Sequence, residues 1–161
     1  MEIWDLYDHK LKHTGKTIVR GSVIPIGYYH LVVHFWLKNS EDYYLIQKRS
    51  DKVEYKKGIW SFTGGSAITG ENSEEAVIRE VKEEIGLTVR KEDIKIVNRY
   101  CRGDYWVDIY LMEKDVSLSE FKVGHEVTSV KYASQSEIWK MRSEGLFWDL
   151  DEPYLKNLFS H

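Results

Sequence analysis

Glutamates crowd the stretch GGSAITGENSEEAVIREVKEEIGL, which runs from Gly64 to Leu87. Three of them, Glu80, Glu83 and Glu84, lie within five residues of one another. Like charges this close repel unless something neutralises them. Carboxylates clustered in this way suit two kinds of chemistry, general acid–base catalysis and the binding of a hard divalent cation. Either chemistry depends on the element that positions the three side chains.

The residues from Asn72 to Ile85 are predicted to form a helix. Asn72 can cap its N terminus, and Glu75, three residues later, would complete a capping box. Gly86 is well placed to end the helix. Glu74 and Glu75 fall in the first turn, where the helix dipole favours negative charge. These two acids therefore need no functional explanation.

The three later glutamates are placed differently. At about 100° per residue, Glu83 and Glu84 lie within roughly 60° of Glu80 on the helix surface. Next to them is an apolar stripe that must face the core. The stripe consists of Val77, Ile78, Val81 and Ile85. The carboxylates are therefore expected at the border between core and cleft, near the helix C terminus, where the dipole disfavours them.

Two interpretations of this cluster stay open on spacing alone. It can be a solvated acidic face with ion pairs one turn apart. Lys82 does not face Glu80 or Glu84, whereas Arg79 lies one turn before Glu83 and is the better neutraliser. Alternatively, a cation such as Mg²⁺ relieves the repulsion, because Mg²⁺ accepts carboxylate oxygens and fills its remaining positions with water and substrate phosphates.

Length and composition set wider limits. The 161 residues predict one domain over 1–161 with a substantial core. The net charge of −3 argues against binding of a nucleic-acid polymer, which favours a basic surface. The only cysteine, Cys101, excludes an intrachain disulfide and is expected to be a buried, inert thiol. With no signal peptide or membrane-spanning run, a cytoplasmic location is expected.

Strands predominate outside the glutamate helix, which predicts a mixed α/β domain. A hairpin is expected around the turn Asn39–Asp42, and helices are expected at Ser136–Ser143 and Glu152–Phe159. The predicted strands are His30–Lys38, Tyr43–Arg49, Gly58–Gly65, Asp93–Cys101, Asp104–Glu113 and Val127–Ser134.

The glutamate stretch resembles the signature of the Nudix hydrolase superfamily. That signature is a glycine, five residues, a glutamate, seven residues, and then Arg-Glu-aliphatic-any-Glu-Glu-any-Gly-aliphatic. All of its defined positions are matched over residues 65–87, by Gly65, Glu71, Arg79, Glu80, Val81, Glu83, Glu84, Gly86 and Leu87. Residues 1–90 are also similar in layout to isopentenyl-diphosphate isomerase, a branch of the same superfamily.

The resemblance implies a Nudix fold, an α/β/α sandwich around a mixed sheet with a loop–helix–loop metal site. Glu80, Glu83 and Glu84 would bind Mg²⁺ or Mn²⁺, with the backbone carbonyl of Gly64. Arg79 would orient a metal-binding glutamate, and Glu71 would brace the loop. Gly65 and Gly86 would have structural roles. The implied reaction is hydrolysis of a nucleoside diphosphate linked to another group.

The general base is not fixed by the signature. Glu83 is one candidate, Glu126 is a second because it lies where relatives supply an extra carboxylate, and Glu120 is a third. An exposed loop acid is the alternative for Glu126. For substrate binding, Arg49 and Lys52 could contact phosphates, although surface charge explains them equally well.

Other residues carry weaker hypotheses. His30 and His34 share a strand face and could be ligands, but structural histidines are expected more often. Aromatic side chains at Tyr105, Trp106 and Trp148 suggest where a flat group could stack. A small-molecule diphosphate is the expected partner, and a homodimer is an open alternative to a monomer.

Two other functions are kept as alternatives. An isomerase of the isopentenyl type is disfavoured because the stretch IWSFTGGSA has no cysteine and the glutamate signature is intact. A non-catalytic nucleotide sensor is disfavoured because such proteins tend to lose these glutamates. Thr63 replaces the proline found in many members before the two glycines, and we expect little effect because the glycines set the backbone geometry.

Overall fold

The fold consists of nine strands and three helices. The computed structural model describes residues Met1–His161. The strands are β1 Ile3–Tyr7, β2 His13–Val19, β3 His30–Lys38, β4 Tyr44–Arg49, β5 Trp60–Ser61, β6 Thr63–Ser66, β7 Lys95–Arg102, β8 Tyr105–Glu113 and β9 Val127–Ala133. The helices are α1 Ser73–Ile85, α2 Gln135–Ser143 and α3 Glu152–Leu158. The predicted helices and most of the predicted strands are confirmed.

A mixed seven-stranded sheet forms the centre of the molecule. Strand β3 runs parallel to β8, which pairs antiparallel with β7. Strands β3 and β4 form the expected hairpin, but they pair only at Lys38 and Tyr44 beside the turn. Beyond that point the two strands separate, and β4 pairs with β9 on its other side.

The gap between β3 and β4 is filled by the segment that leads into α1. The prediction of one strand over Gly58–Gly65 was wrong, because this segment changes partner at Phe62. Strand β5 pairs with β4, and β6 pairs with β3. Gly64 fits against β3 because a Cβ at this position would lie 2.5 Å from the carbonyl oxygen of Val33. The split in the sheet thus places the start of the glutamate stretch at its centre.

Apolar residues on the two faces of the sheet form two separate cores, as the alternation of a strand requires. On β3, Val33 and Phe35 pack toward α1, whereas Trp36 packs toward α2 and α3. The result is the expected α/β/α sandwich. The helices have 13, 9 and 7 residues, and none combines the length and apolar character needed to cross a membrane.

An N-terminal hairpin was not predicted from the sequence. Strands β1 and β2 form their own antiparallel sheet, and Tyr7 bridges to Tyr29 just before β3. Most of β2 is exposed, so no apolar alternation marks it. The expectation for Cys101 was also wrong: the residue is exposed, because it lies on β7 at the edge of the sheet.

Candidate active site

Helix α1 begins and ends where its sequence predicts. The Asn72 side chain accepts a hydrogen bond from the backbone N–H of Glu75, and the Glu75 carboxylate accepts one from the N–H of Asn72. At the other end, Gly86 adopts the left-handed conformation with φ of 71° and its N–H donates to the carbonyl of Lys82. The capping box and the glycine stop are both confirmed, and they fix the residues at which the helix begins and ends.

The apolar stripe of α1 faces the core, and two of the three later glutamates lie beside it. Val81 and Ile85 are fully buried. Glu80 and Glu84 are each only 8% exposed, whereas the side chain of Glu83 is 60% exposed. The expected position at the border between core and cleft is therefore observed, with Glu83 on the outer side.

Glu84 points into the gap between β3 and β4. Its Oε2 atom accepts a hydrogen bond of 2.6 Å from Nε2 of Gln47 and a longer one of 3.4 Å from the backbone N–H of Gly64. Thr63 donates from its hydroxyl to Oε1 of Gln47 at 2.6 Å. This chain of neutral partners fixes the Gln47 amide so that its nitrogen faces Glu84. The carboxylate is oriented, but no cation neutralises it.

Arg79 joins the loop before α1 to the glutamates. Its guanidinium donates two hydrogen bonds to Glu71, at 2.5 and 3.0 Å, and one to the carbonyl of Ser66. The same side chain donates to Glu80 at 3.0 Å and to Glu83 at 3.2 Å. Glu71 also accepts from the N–H of Ile68. One guanidinium therefore contacts three carboxylates. Its contact with Glu83 is the ion pair that the sequence predicted.

Burial makes the two inner carboxyls difficult to ionise. Desolvation raises the pKa of Glu80 to about 7, against the opposing effect of Arg79. Desolvation, together with the charge of Glu80, raises the pKa of Glu84 to about 8 despite the hydrogen bond from Gln47. Acidic groups with raised pKa values in a cleft are common at functional sites. The local ion pairs thus leave part of the repulsion uncompensated.

Glycines allow the close approach of backbone and carboxylate. A Cβ at Gly65 would lie 2.3 Å from Oε1 of Glu80, so any other residue would displace that carboxylate. Gly124, which sequence reasoning missed, performs a similar function at the end of α1. Its N–H donates to the carbonyl of Glu84, and a Cβ there would lie 2.2 Å from the carbonyl oxygen of Glu83. The structural role of Gly124 is visible only from its contact with the end of α1, and no local sequence pattern marks it.

The donor set suits a hard divalent cation, because it consists of carboxylate oxygens beside Gly64 and Gly65 of β6, where the absence of a Cβ leaves room for them. No three acidic, histidine or cysteine side chains converge closely enough in the structure to enclose a metal ion. The reason is that Arg79 holds Glu80 and Glu83, while Glu84 turns toward Gln47. The side chain of Glu83 is 60% exposed, and Arg79 is its hydrogen-bond partner.

Comparison with known proteins identifies the family. The family model of the NUDIX domain matches residues 28–155. This chain belongs to the Nudix hydrolase family. It is 34% identical over 149 residues to an uncharacterized Nudix hydrolase of Listeria monocytogenes, which covers 91% of this chain and 88% of that protein.

Two further comparisons agree. The chain is 40% identical over 58 residues to the nucleoside triphosphatase NudI of Salmonella agona, covering 36% of this chain and 41% of that protein. A crystal structure from Deinococcus radiodurans matches with a TM-score of 0.75 at 18% identity over 91% of both chains. The NUDIX domain of Shewanella oneidensis NrtR also matches, with a TM-score of 0.64 at 17% identity over 89% of this chain and 92% of that chain, which confirms the Nudix fold.

The candidates for the general base lie in different surroundings. Glu126 precedes β9 and is half exposed, and its negative charge contributes to the raised pKa of Glu84. Its backbone carbonyl accepts from the N–H of Ser50, which ties the loop before β9 to the end of β4. The carboxylate of Glu120 accepts from the N–H of Ser117 within its own short turn. Of these two residues, Glu126 is the one whose charge reaches the Nudix glutamates.

The proposed phosphate-binding residues lie at the end of β4. The Nε atom of Arg49 donates to the carbonyl of Tyr55, and its guanidinium lies 5.1 Å from the centre of the Trp148 ring. Lys52 is exposed, and its backbone N–H donates to the hydroxyl of Ser50. The contact between Arg49 and Trp148 was not expected from the sequence.

The remaining candidates have structural partners. His34 contacts the Tyr154 hydroxyl at 2.8 Å, and its burial lowers its pKa to about 4, as expected of a structural histidine. His30 stacks on Trp4 with ring centres 4.2 Å apart. Trp106 donates to the carbonyl of Asp8. Tyr105 packs near His30, with ring centres 5.7 Å apart.

Proposed function

We propose that this Nudix protein hydrolyses a phosphoanhydride bond in a nucleoside diphosphate derivative or a similar diphosphate-containing small molecule, with Mg²⁺ or Mn²⁺ as cofactor. The observation that carries the proposal is the pair of buried carboxyls, Glu80 and Glu84, whose pKa values are raised to about 7 and 8. Membership of the Nudix hydrolase family supports the reaction class. The nucleoside triphosphatase among the relatives supports a nucleotide substrate.

The residues divide into three roles. Glu80, Glu83, Glu84 and the carbonyl of Gly64 would hold the cation, which supplies neutralisation of phosphate oxygens and a lower pKa for a bound water. Arg79 positions Glu80 through the 3.0 Å hydrogen bond, and it is itself held by Glu71. Gln47 positions Glu84 in the same way. Binding of the cation would require both buried carboxyls to lose their protons.

An exposed carboxylate suits the general base, because solvent reaches it and it can accept a proton from the attacking water. Glu83 and Glu126 both meet this condition, with side chains 60% and 53% exposed. Arg49 and Lys52 would bind phosphate oxygens at the end of β4. The intact glutamate signature favours this hydrolase over a nucleotide sensor, and the lack of a cysteine near β6 disfavours the isomerase.

Replacement of Glu83 with Gln tests the proposal. Because Glu83 is exposed, the variant should fold as well as the unsubstituted protein while its Mg²⁺-dependent turnover is abolished. Glu74→Gln, at the opposite end of the same helix, is the matched control and should retain activity. A panel of nucleoside di- and triphosphates, ADP-ribose, dinucleoside polyphosphates, coenzyme A and isoprenoid diphosphates supplies the substrates. Full activity of the Glu83→Gln variant would contradict the assignment.

Three statements stay predictions from the sequence. They are a single domain over residues 1–161, a cytoplasmic location, and a homodimer as an open alternative to a monomer.

A further inference from the structure

The N-terminal hairpin of β1 and β2 holds the loop that leads into α1. Both strands end before residue 28, where the match to the NUDIX domain begins. The backbone carbonyl of Ile3 accepts two hydrogen bonds from Thr69, one from its N–H at 2.8 Å and one from its hydroxyl at 3.0 Å. The carboxylate of Asp5 accepts a third from the N–H of Gly70 at 2.9 Å. Strand β1 therefore fixes two consecutive residues of the loop.

These two loop residues come directly before Glu71, the carboxylate that holds Arg79. The N–H of Glu71 donates to the carbonyl of Ile68, and the Glu71 side chain accepts from the N–H of Ile68 at 3.0 Å. Arg79 in turn joins Glu71 to Glu80. Because the backbone at Gly70 sets where Glu71 lies, the hydrogen bonds from β1 limit where the guanidinium can be held.

Gly70 is the residue of this loop that most needs an external contact. It has a positive φ of 87°, and no atom lies within 4 Å of the position that a Cβ would occupy. A glycine has wide conformational freedom, and side-chain packing does not restrict this one. The hydrogen bond from its N–H to Asp5 supplies the restraint.

Asp5 is oriented toward the loop by a partner on its other side. The residue is only 6% exposed, and its Oδ1 atom lies 3.2 Å from Nε2 of His13, whereas Oδ2 accepts from Gly70. Nδ1 of His13 accepts from the N–H of Gly15, so Nε2 carries a proton and donates to Asp5. A buried carboxylate is costly unless its oxygens are hydrogen-bonded, and here both oxygens have donors.

We infer that Asp5 is a positioning residue of the proposed active site. It holds Gly70, so that Glu71 fixes Arg79. Through the guanidinium it also keeps Glu80 in place. The inference rests on the proposed function, because Glu80 is one of the proposed cation ligands, and it makes the N-terminal hairpin a part of the metal-binding scaffold.

Asp5→Ala and Asp8→Ala form a matched pair of variants. Each removes a hairpin carboxylate that accepts backbone hydrogen bonds, but Asp8 accepts from Lys10 and Lys12 within its own turn. Asp5→Asn keeps an oxygen that can accept from the loop. The NMR signal of the Arg79 Nε–H group, recorded in EDTA, reports its hydrogen bond to Glu71 without metal or substrate. Electron paramagnetic resonance of free Mn²⁺ measures the cation affinity.

In Asp5→Ala the Arg79 Nε–H group should exchange with solvent faster, and Mn²⁺ should bind about tenfold more weakly. Asp8→Ala should match the unsubstituted protein in both measurements, even where its stability falls by the same amount. Asp5→Asn should restore most of the cation affinity. An unchanged Arg79 signal in Asp5→Ala, or the same change in Asp8→Ala, would overturn the inference.

Thr69→Ala decides the question if Asp5→Ala does not fold, because it removes only the hydroxyl hydrogen bond to the carbonyl of Ile3. Its Arg79 signal should change in the same direction, and an unchanged signal would overturn the inference. Failure of the proposed function has a different result, the absence of Mn²⁺ binding and of turnover in the unsubstituted protein. The Arg79 signal in EDTA would then still show whether Asp5 positions the guanidinium.

Discussion

The two ends of helix α1 are both acidic, but their carboxylates have very different partners. At the N terminus, the hydroxyl of Ser73 donates to Asp108, a fully buried carboxylate on β8. Arg99 donates to both oxygens of Asp108, at 2.6 and 2.8 Å. Toward the C-terminal end, one guanidinium is shared among Glu80, Glu83 and Glu71 of the loop before the helix, and Glu84 receives only neutral donors.

This difference shows why acidic residues alone do not indicate function. Asp108 is more deeply buried than Glu80 or Glu84, yet a dedicated arginine and a hydroxyl satisfy it. The N-terminal cluster is therefore a structural connection between α1 and β8. The C-terminal cluster has fewer cations than carboxylates, and a divalent cation would supply the missing charge. A functional site is indicated by buried carboxylates that have too few positively charged or hydrogen-bonding partners.

The largest expected effect is a difference in stability between Asp108→Asn and Glu84→Gln in metal-free protein at pH 8. In Asp108→Asn, the amide nitrogen would face the donors of Arg99 or Ser73, so the free energy of unfolding should fall by about 1–3 kcal/mol. In Glu84→Gln a difficult charge is removed, so this free energy should stay the same or rise by up to about 2 kcal/mol. Denaturation by urea measures both.

The effects of the two substitutions on activity should be the reverse of their effects on stability. Glu84→Gln should abolish Mg²⁺-dependent hydrolysis, whereas Asp108→Asn should retain it wherever the variant is folded. A strongly destabilised but active Glu84→Gln protein would show that the two clusters have been assigned the wrong way round.

The metal-free protein should lose stability as the pH rises from about 6.5 to 8, above the range in which the buried His34 changes its charge. The pKa values of Glu80 and Glu84 in the folded state, about 7 and 8, exceed the ordinary value of 4.5. The folded state therefore holds more protons than the unfolded state in this range. The stability that these two carboxyls contribute is complete below the ordinary pKa of 4.5 and is lost as the pH rises through their folded-state pKa values. The loss should be a few kcal/mol. Urea denaturation in EDTA at pH 5, 6.5 and 8 measures it.

The double variant Glu80→Gln/Glu84→Gln is the control for this pH dependence and should flatten it. Saturating Mn²⁺ should restore stability most strongly at pH 8, where the metal competes with the fewest protons. Stability that rises between pH 6.5 and 8 in metal-free protein would be incompatible with neutral buried carboxyls.

A smaller effect distinguishes two glycines of the Nudix signature. In Gly65→Ala the new Cβ would displace the flexible carboxylate of Glu80, so activity should fall at least about tenfold while stability changes by less than about 1 kcal/mol. In Gly86→Ala the Cβ would meet the backbone oxygen of Lys122 at 2.5 Å, at a residue with positive φ. This variant should lose about 1–2 kcal/mol of stability. Thermal denaturation and turnover of both proteins separate the two roles, and equal stability losses would contradict them.

Features of the fold that depend on local sequence could be predicted. The capping box of Asn72 and Glu75, the stop at Gly86 and the shared face of Glu80 and Glu84 all follow from residues within one or two helical turns. The interactions that determine these features lie within the helix itself. The Nudix signature then supplied the fold and the reaction class as a resemblance, which the family match confirms.

Features that depend on distant contacts could not be predicted. The change of partner at Phe62 follows from the separation of β3 and β4, which no local pattern marks. Gly124 gains its role only from the carbonyl groups of Glu83 and Glu84. The exposure of Cys101 depends on β7 forming the sheet edge. The contact of Arg49 with Trp148 joins residues far apart in the chain, so spacing alone could not reveal it.

The central claim is that the C-terminal glutamates of α1 bind a divalent cation and the N-terminal ones do not. Titration of Mn²⁺, followed by the electron paramagnetic resonance signal of the free ion, tests it most directly. The unsubstituted protein and Glu74→Gln should bind Mn²⁺ with equal affinity, whereas Glu84→Gln should bind it at least about tenfold more weakly. Equal Mn²⁺ affinity of Glu84→Gln and the unsubstituted protein would contradict the claim.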